Sequence, residues 1–168
     1  NEAAIENFLA ALNMGEALGD EGAELVANCQ KAIASANLSM AKDLYNAKAF
    51  DEAAAAFQQA KEVAEGYGEA EVAAEAAELV NQANILKFNT EGKAAMKAKD
   101  FATAIASFKK VLELDPTNGA VAVQLGQACM NAGQFDEAVA ALETAKANGQ
   151  EENAAKLLSN IYLKKAQA

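Results

Sequence analysis

Apolar side chains recur every three or four residues along most of the chain, as they do on one face of an α-helix. In the second half of the chain, Val121, Leu125 and Ala128 mark one such stripe, and Ala138 and Leu142 mark the next. No stretch shows the sustained apolar and polar alternation of a half-buried strand. The pattern therefore predicts an all-α chain with about eight helices. They lie at residues 2–18, 21–48, 51–66, 69–99, 101–114, 118–132, 136–147 and 151–168.

The predicted helices begin and end at residues with suitable local chemistry. Asn1 is suited to cap the first helix, because its side-chain oxygen accepts a hydrogen bond from a free backbone N–H. Gly19 is suited to end that helix. Pro116, the single proline, cannot continue a helix and marks a break after the fifth one. The helices at 21–48 and 69–99 are unusually long.

Three stretches of the chain share one spacing of mostly small and aromatic residues, with successive intervals of 12, 4, 3 and 5 residues. A repeat with this period is typical of stacked helical hairpins. One hairpin cannot bury the apolar stripes of both its helices alone, so neighbouring hairpins stack, and such arrays usually bind other molecules. The three stretches are Gly92, Ala104, Phe108, Val111 and Pro116; Gly126, Ala138, Leu142, Ala145 and Gln150; and Ala41, Ala53, Phe57, Ala60 and Glu65.

This spacing resembles that of the tetratricopeptide repeat (TPR) over nearly the full length of the chain. The resemblance implies a right-handed, TPR-like superhelix of antiparallel helix hairpins. The residues that carry it are Leu125, Gly126, Gly133, Gln134, Phe135, Ala138, Leu142 and Ala145, and, in the preceding repeat, Gly92, Phe101, Ala104, Phe108, Leu114, Asp115 and Pro116.

The resemblance divides the chain (1–168) into a single array of unequal repeats. Two of the intervals between repeats exceed the usual 34 by about 17 residues, which adds roughly 25 Å to the long helices. We interpret these insertions as structural extensions that bend the superhelix or widen its first groove, the alternative being a dedicated site. The parts are the second helix of an incomplete repeat (1–20), two long-helix repeats (21–68 and 69–116), a regular repeat (117–149) and a terminal helix that caps the array or marks truncation (150–168).

The net charge of −10 is unevenly distributed. Residues 1–80 hold 15 acidic residues and four lysines, whereas residues 81–168 hold nine acidic residues and ten lysines. The first half should repel nucleic acid and anionic membrane and attract basic partners. The chain has no arginine, so no side chain can grip a phosphate or carboxylate with a bidentate fork. We therefore predict no nucleic-acid partner.

The sequence gives almost no sign of an enzyme. It contains no histidine, which excludes Ser–His and Cys–His nucleophiles and histidine-based zinc motifs. Glu71, Glu75 and Glu78 share a helix face, but we interpret that face as solvated. Cys29 and Cys129 lie far apart in apolar helical stretches, where each is expected to pack as a small hydrophobe. We predict no catalytic residue, no metal and no cofactor.

In proteins that this chain resembles, the first helix of each repeat lines a concave face that often binds an extended peptide. Carried over residue by residue, this resemblance predicts a groove of amides, lysines and flexible apolar side chains. The groove candidates are Lys42, Tyr45, Asn46, Asn89, Lys93, Met96, Lys97, Gln127, Met130, Asn131 and Asn160, with Leu38, Val123, Lys156 and Lys164 beside them.

The leading prediction is a non-catalytic protein–protein interaction scaffold that binds a peptide or protein segment in this groove. The alternative is a structural segment of a longer repeat protein that self-associates through its terminal helices. No segment has the roughly 18 apolar residues that cross a bilayer, so we expect a soluble chain without membrane insertion. The compartment, cytoplasmic or exported to a periplasm, stays open.

Overall fold

The computed structural model describes residues 2–167, and within that range it is helical apart from short turns. Eight α-helices follow one another as the hydrophobic pattern predicts, with ends within about two residues of the predicted positions. A short 3-10 turn, Gly19–Gly22, separates the first two. The proposed Asn1 cap lies outside the described residues. The helices are α1 (Glu2–Ala17), α2 (Ala23–Asn46), α3 (Phe50–Tyr67), α4 (Ala70–Ala98), α5 (Phe101–Leu114), α6 (Gly119–Asn131), α7 (Phe135–Ala147) and α8 (Glu151–Gln167).

The two helices predicted to be unusually long are the longest in the described chain. Helix α2 has 24 residues and α4 has 29, whereas the other helices have 13 to 18. The chain forms two compact units, Asn1–Asn84 and Ile85–Ala168, and the boundary falls within α4. The division into individual repeats stays a prediction.

The first unit is built on α1, α2, α3 and the first half of α4. Helix α2 packs against both α1 and α3. Phe57, which is fully buried, lies in a cluster with Leu38 and small alanines from α2, α3 and α4. A second cluster joins Leu12 of α1 to Cys29 and Ile33 of α2. The first half of α2 therefore covers α1.

The second unit contains the second half of α4 and helices α5 to α8. Consecutive helices from α5 to α8 pack against each other, and α8 also contacts α6. Phe108, Leu142 and Ile161 are the largest fully buried side chains of the unit, together with many alanines. Cys129 packs in the same core as a free thiol, and Cys29 is likewise free and buried in the first unit. The alanine-rich composition thus lets the helices approach closely around a few large residues.

The turns inside the hairpins repeat as closely as the helices do. Lys48, Lys99 and Gly133 all have positive φ angles, of 62°, 60° and 77°. In each case the next residue donates its backbone N–H to a carbonyl five residues earlier, as in a Schellman helix end: the acceptors are Leu44, Ala95 and Cys129. These turns are 51 and 34 residues apart, the intervals predicted from the small residues of the helices.

Candidate peptide-binding groove

In the second unit, α4 and α6 each carry a glycine at the point where the next helix of the chain comes closest. A Cβ atom placed on Gly92 of α4 would lie 2.5 Å from the Phe108 ring of α5. A Cβ atom on Gly126 of α6 would lie 2.6 Å from Leu142 of α7. The large side chain of the second helix therefore fills the space that the glycine leaves. The glycine face of α4 therefore packs against α5, and the glycine face of α6 packs against α7.

An open pocket of about 320 Å³ lies between α4, α5 and α6. Four of the predicted groove residues line it, because residues 34 apart occupy equivalent places on α4 and α6. The pocket is open to solvent, and its lining is polar at the lysines and glutamines and apolar at the methionine and phenylalanine. Its residues, which together we call the α4–α6 pocket, are Lys93, Met96, Lys97, Phe108, Gln124 and Gln127.

The two lysines of the α4–α6 pocket carry positive charge that the described chain does not neutralise. Lys93 and Lys97 are exposed and lie one turn apart on α4, and neither forms an ion pair within residues 2–167. Several other lysines are paired: Lys42 lies 2.6 Å from Glu75, and Lys109 lies 2.8 Å from Glu137. Like charges one turn apart repel each other, so an anion placed between Lys93 and Lys97 would be stabilised.

Two amide oxygens of the second unit are buried without a hydrogen-bond partner among the described residues. They are Oε1 of Gln124, which lines the α4–α6 pocket, and Oδ1 of Asn89, one helical turn before Lys93 on α4. A buried carbonyl oxygen without a donor costs about 1–3 kcal/mol. Each oxygen has almost no accessible surface, so its side chain must rotate toward solvent before a ligand N–H group, such as that of an extended peptide backbone, can donate to it.

Other groove candidates of the second unit lie outside the α4–α6 pocket. Met130 packs partly against the core, while Asn131 at the end of α6 and Asn160 on α8 are exposed. Lys156, named beside the groove, pairs with Glu152 at 2.7 Å, one turn away on its own helix. These residues therefore stay candidates without a pocket around them.

In the first unit, two of the groove candidates, Lys42 and Tyr45, have structural partners. Lys42 is held by its ion pair with Glu75. Tyr45 makes edge contacts with the Phe50 and Phe57 rings, with centroids 5.7 and 6.1 Å apart. Asn46 ends α2 and is exposed. The placement of Leu38 beside the groove is wrong, because it is buried in the alanine-rich core of this unit.

Sequence reasoning missed two residues of the α4–α6 pocket. Phe108 has the spacing of a core residue, and its contact with the pocket depends on the close approach at Gly92. Gln124 lies in an apolar run, and its place in the pocket could have been predicted from its position one helical turn before Gln127. A glutamine among valine and leucine at that spacing faces the same side of α6 as the predicted groove residue.

Within residues 2–167, no three His, Cys, Asp or Glu side chains are grouped as metal ligands would be. Glu75 of the predicted solvated face is paired with Lys42. Burial raises the pKa of the Cys129 thiol above its usual value, chiefly by desolvation, which keeps it protonated and unreactive. None of the helices in the same range combines the length and apolar character needed to cross a membrane.

The helix hairpins and their repeated turns define an α-helical repeat protein, and the α4–α6 pocket is open on its surface. A family model described as tetratricopeptide repeat matches residues 95–161, from the end of α4 into α8. Residues 95–161 therefore resemble tetratricopeptide repeats, and the predicted all-α fold of helix hairpins is confirmed. The match supports a protein–protein interaction scaffold in general terms.

No curated protein matches the chain. Among solved structures, one similar chain is the C-terminal TPR-containing domain of a Plasmodium falciparum protein described as FK506-binding. The two are 19% identical, with a TM-score of 0.49, and the similarity covers 84% of this chain and 95% of that domain.

Proposed function

We propose that the chain is a non-catalytic scaffold whose α4–α6 pocket binds an extended, acidic peptide segment of a partner protein. The observation that carries this proposal is the meeting, on one surface, of two lysines without ion-pair partners and a buried amide oxygen without a donor. A peptide carboxylate would lie near Lys93 and Lys97. A backbone N–H would donate to the amide oxygen of Gln124 once that side chain has rotated toward the pocket.

The chemistry of the pocket favours a peptide over other anions. Met96, which is half-buried, offers apolar surface for a peptide side chain, and a methionine adapts to differently shaped ones. Asn89, one turn along α4, extends the row of acceptors beyond the pocket. Lysine is a point charge and lacks the fixed, two-pronged geometry of arginine. The two lysines would therefore attract an acidic peptide without requiring one orientation of its carboxylate. Binding should therefore weaken as salt is raised.

Reversing both lysine charges, in the double variant Lys93→Glu and Lys97→Glu, should abolish binding of acidic peptides. Each replaced charge would repel the carboxylate that it now attracts, and we expect a loss of at least about thirtyfold, or about 2 kcal/mol. The measurement is an array of synthetic extended peptides, with and without aspartate and glutamate, followed by fluorescence anisotropy titration of those retained. Helicity by circular dichroism should be unchanged, since both side chains are exposed.

The matched control is Lys31→Glu with Lys48→Glu, which changes the net charge by the same amount on two exposed side chains outside the α4–α6 pocket. It should leave affinity within about twofold, because neither side chain lines the pocket and salt screens interactions between exposed charges. Equal losses in both double variants would mean that overall charge, and not the α4–α6 pocket, governs binding. Retained binding in the pocket variant would rule out the lysine-lined site.

Replacing Gln124 by methionine should raise the stability of the protein and weaken its binding of the peptide. The variant removes a buried oxygen that has no donor and keeps side-chain length and helix propensity. We expect a gain of about 1 kcal/mol, or about 2–4 °C in melting temperature for a chain of this size, and about a tenfold loss of peptide affinity. Thermal denaturation and anisotropy titration measure the two effects.

The control for this variant is Gln127→Met in the same pocket, where the side chain is exposed and should leave stability unchanged. A fall in stability for Gln124→Met would show that the amide already has a partner in the free protein. Unchanged affinity would remove Gln124 from the binding site.

A further inference from the structure

Helix α1 exposes the face that second helices elsewhere in the chain bury. Ala4 and Phe8 have the spacing of Ala104 and Phe108 on α5. Phe57, Phe108 and Leu142 are each 0% exposed, because a first helix covers them. In contrast, Phe8 is 36% exposed, and Ala4 is exposed as well. Among the described residues, α1 packs on α2 and the 3-10 turn, which leaves this face open.

Helix α8 exposes the complementary face, the one that α6 buries. Counting 33 residues on from α6, Ala154, Leu158 and Ile161 are buried as Val121, Leu125 and Ala128 are. This shared pattern aligns α8 with α6. In that alignment, a second stripe of residues is buried on α6 and exposed on α8. Ala122, Gly126 and Cys129 of α6 are buried under α7, whereas Ala155, Ser159 and Tyr162 of α8 are exposed, Tyr162 to 56%.

The two open faces therefore have the shapes of the two halves of one hairpin. In the α6–α7 hairpin, the small Gly126 receives Leu142. In the same register, the small Ser159 of α8 would receive Phe8 of an α1 helix. Ala155 and Tyr162 would cover the flanks of that contact. On α6 the equivalent face is covered by α7. We infer that a helix with the spacing of α1 fits the open face of α8 in the same way.

The charges of the two faces are also complementary. Helix α1 contains three acidic residues and no lysine. Helix α8 contains two acidic residues in its first turn and three lysines, of which Lys156 pairs with Glu152 and Lys165 with Asp136, whereas Lys164 near its end has no ion pair within residues 2–167. Two α1 helices, which carry only acidic charges, would repel each other. A contact between α1 and the lysine-containing end of α8 brings opposite charges together, which favours that pairing over the pairing of two α1 helices.

We propose that α8 of one copy of this chain packs on α1 of a second copy, so that the two helices complete a repeat hairpin between molecules. The contact is head-to-tail, because the two partners contribute different surfaces. A contact of this kind leaves one α1 and one α8 open at the ends, so association continues into longer chains or closes into a ring. This self-association is independent of the α4–α6 pocket.

The test uses the 168-residue chain and two variants that each block one end. Phe8→Glu adds an acidic group to the α1 face, and Tyr162→Glu removes apolar contact and opposes the acids of α1. Light scattering after size exclusion and sedimentation velocity would follow mass from about 1 μM to about 1 mM, the range of weak to moderate affinities. The wild type should rise above its monomer mass of 17.4 kDa with concentration, and each variant alone should stay monomeric.

Mixing the two variants gives the decisive result, since Phe8→Glu keeps an intact α8 and Tyr162→Glu keeps an intact α1. We expect a species of twice the monomer mass that does not grow further. Ala4→Glu, at an exposed position of α1, repeats the test should Phe8→Glu fail to fold by circular dichroism. Leu25→Glu and Leu114→Glu, both at apolar residues 39% exposed, control for the loss of surface hydrophobicity and should associate as the wild type does.

Three results would overturn the proposal. The first is a wild type that stays monomeric over the whole concentration range. The second is loss of association in only one of the end variants, which would mean that one helix pairs with its own copy. The third is the absence of a dimer in the mixture of folded variants.

Discussion

Replacing Ala104 by glutamate should unfold the second unit. Ala104 is fully buried in the core around Phe108, in the same register as Ala53 and Ala138, which are also fully buried. The glutamate would have to bury a carboxylate without a partner or displace α5 from its neighbours. Either outcome costs more than about 4 kcal/mol, against a total stability of about 5–15 kcal/mol for a domain. Circular dichroism should show a marked loss of helix and a lower melting temperature.

The matched control is Ala106→Glu on the same helix. Ala106 is exposed, so its glutamate faces water and should change stability by no more than about 0.5 kcal/mol. Comparing the stabilities of Ala104→Glu and Ala106→Glu separates the effect of burial from that of helix propensity, because the substitution and the helix are the same. If Ala104→Glu melts at the wild-type temperature, the alanine register that defines the repeats is wrong.

The fold was predictable because it depends on local patterns that recur. Gly92 and Gly126, at the points of closest helix approach, are recognisable in the sequence through their fixed spacing to Ala104 and Ala138. The left-handed turn at Lys99 was harder to foresee, since a lysine has no special preference for that conformation. Its place follows from the repeat interval, not from its own chemistry.

The candidate site was predictable only where the repeat interval determines position. Lys93 and Gln127 are 34 residues apart, and the structure places both in one pocket. Leu38 was misplaced because a helix of this kind buries two stripes, and spacing alone does not separate a groove position from a core position. The pairing of Lys42 with Glu75 depends on side-chain conformations between helices, which no local pattern encodes.

Replacing Phe108 by alanine should cost about 3–5 kcal/mol, the typical loss for a buried phenylalanine. Phe108 is fully buried and fills the space that Gly92 leaves, so no neighbouring side chain on α4 can move into the cavity. Phe108→Leu should cost less, because Leu142 fills the equivalent place opposite Gly126 and is also fully buried. Urea denaturation measures both, with Leu114→Ala, at a residue 39% exposed, as the control that should change little.

The same pair offers a direct test of why α4 has a glycine at this point. In the wild type, Gly92→Ala should destabilise, because the added Cβ would lie within 3 Å of three atoms of the Phe108 ring. In the Phe108→Ala background the ring is gone, and the same change should instead stabilise by about 1 kcal/mol through the higher helix propensity of alanine. A double-mutant cycle over the two positions would measure this change of sign as a coupling energy. Additive effects would mean that the approach of α5 to α4 is set elsewhere, and that Gly92 serves the helix and not the hairpin.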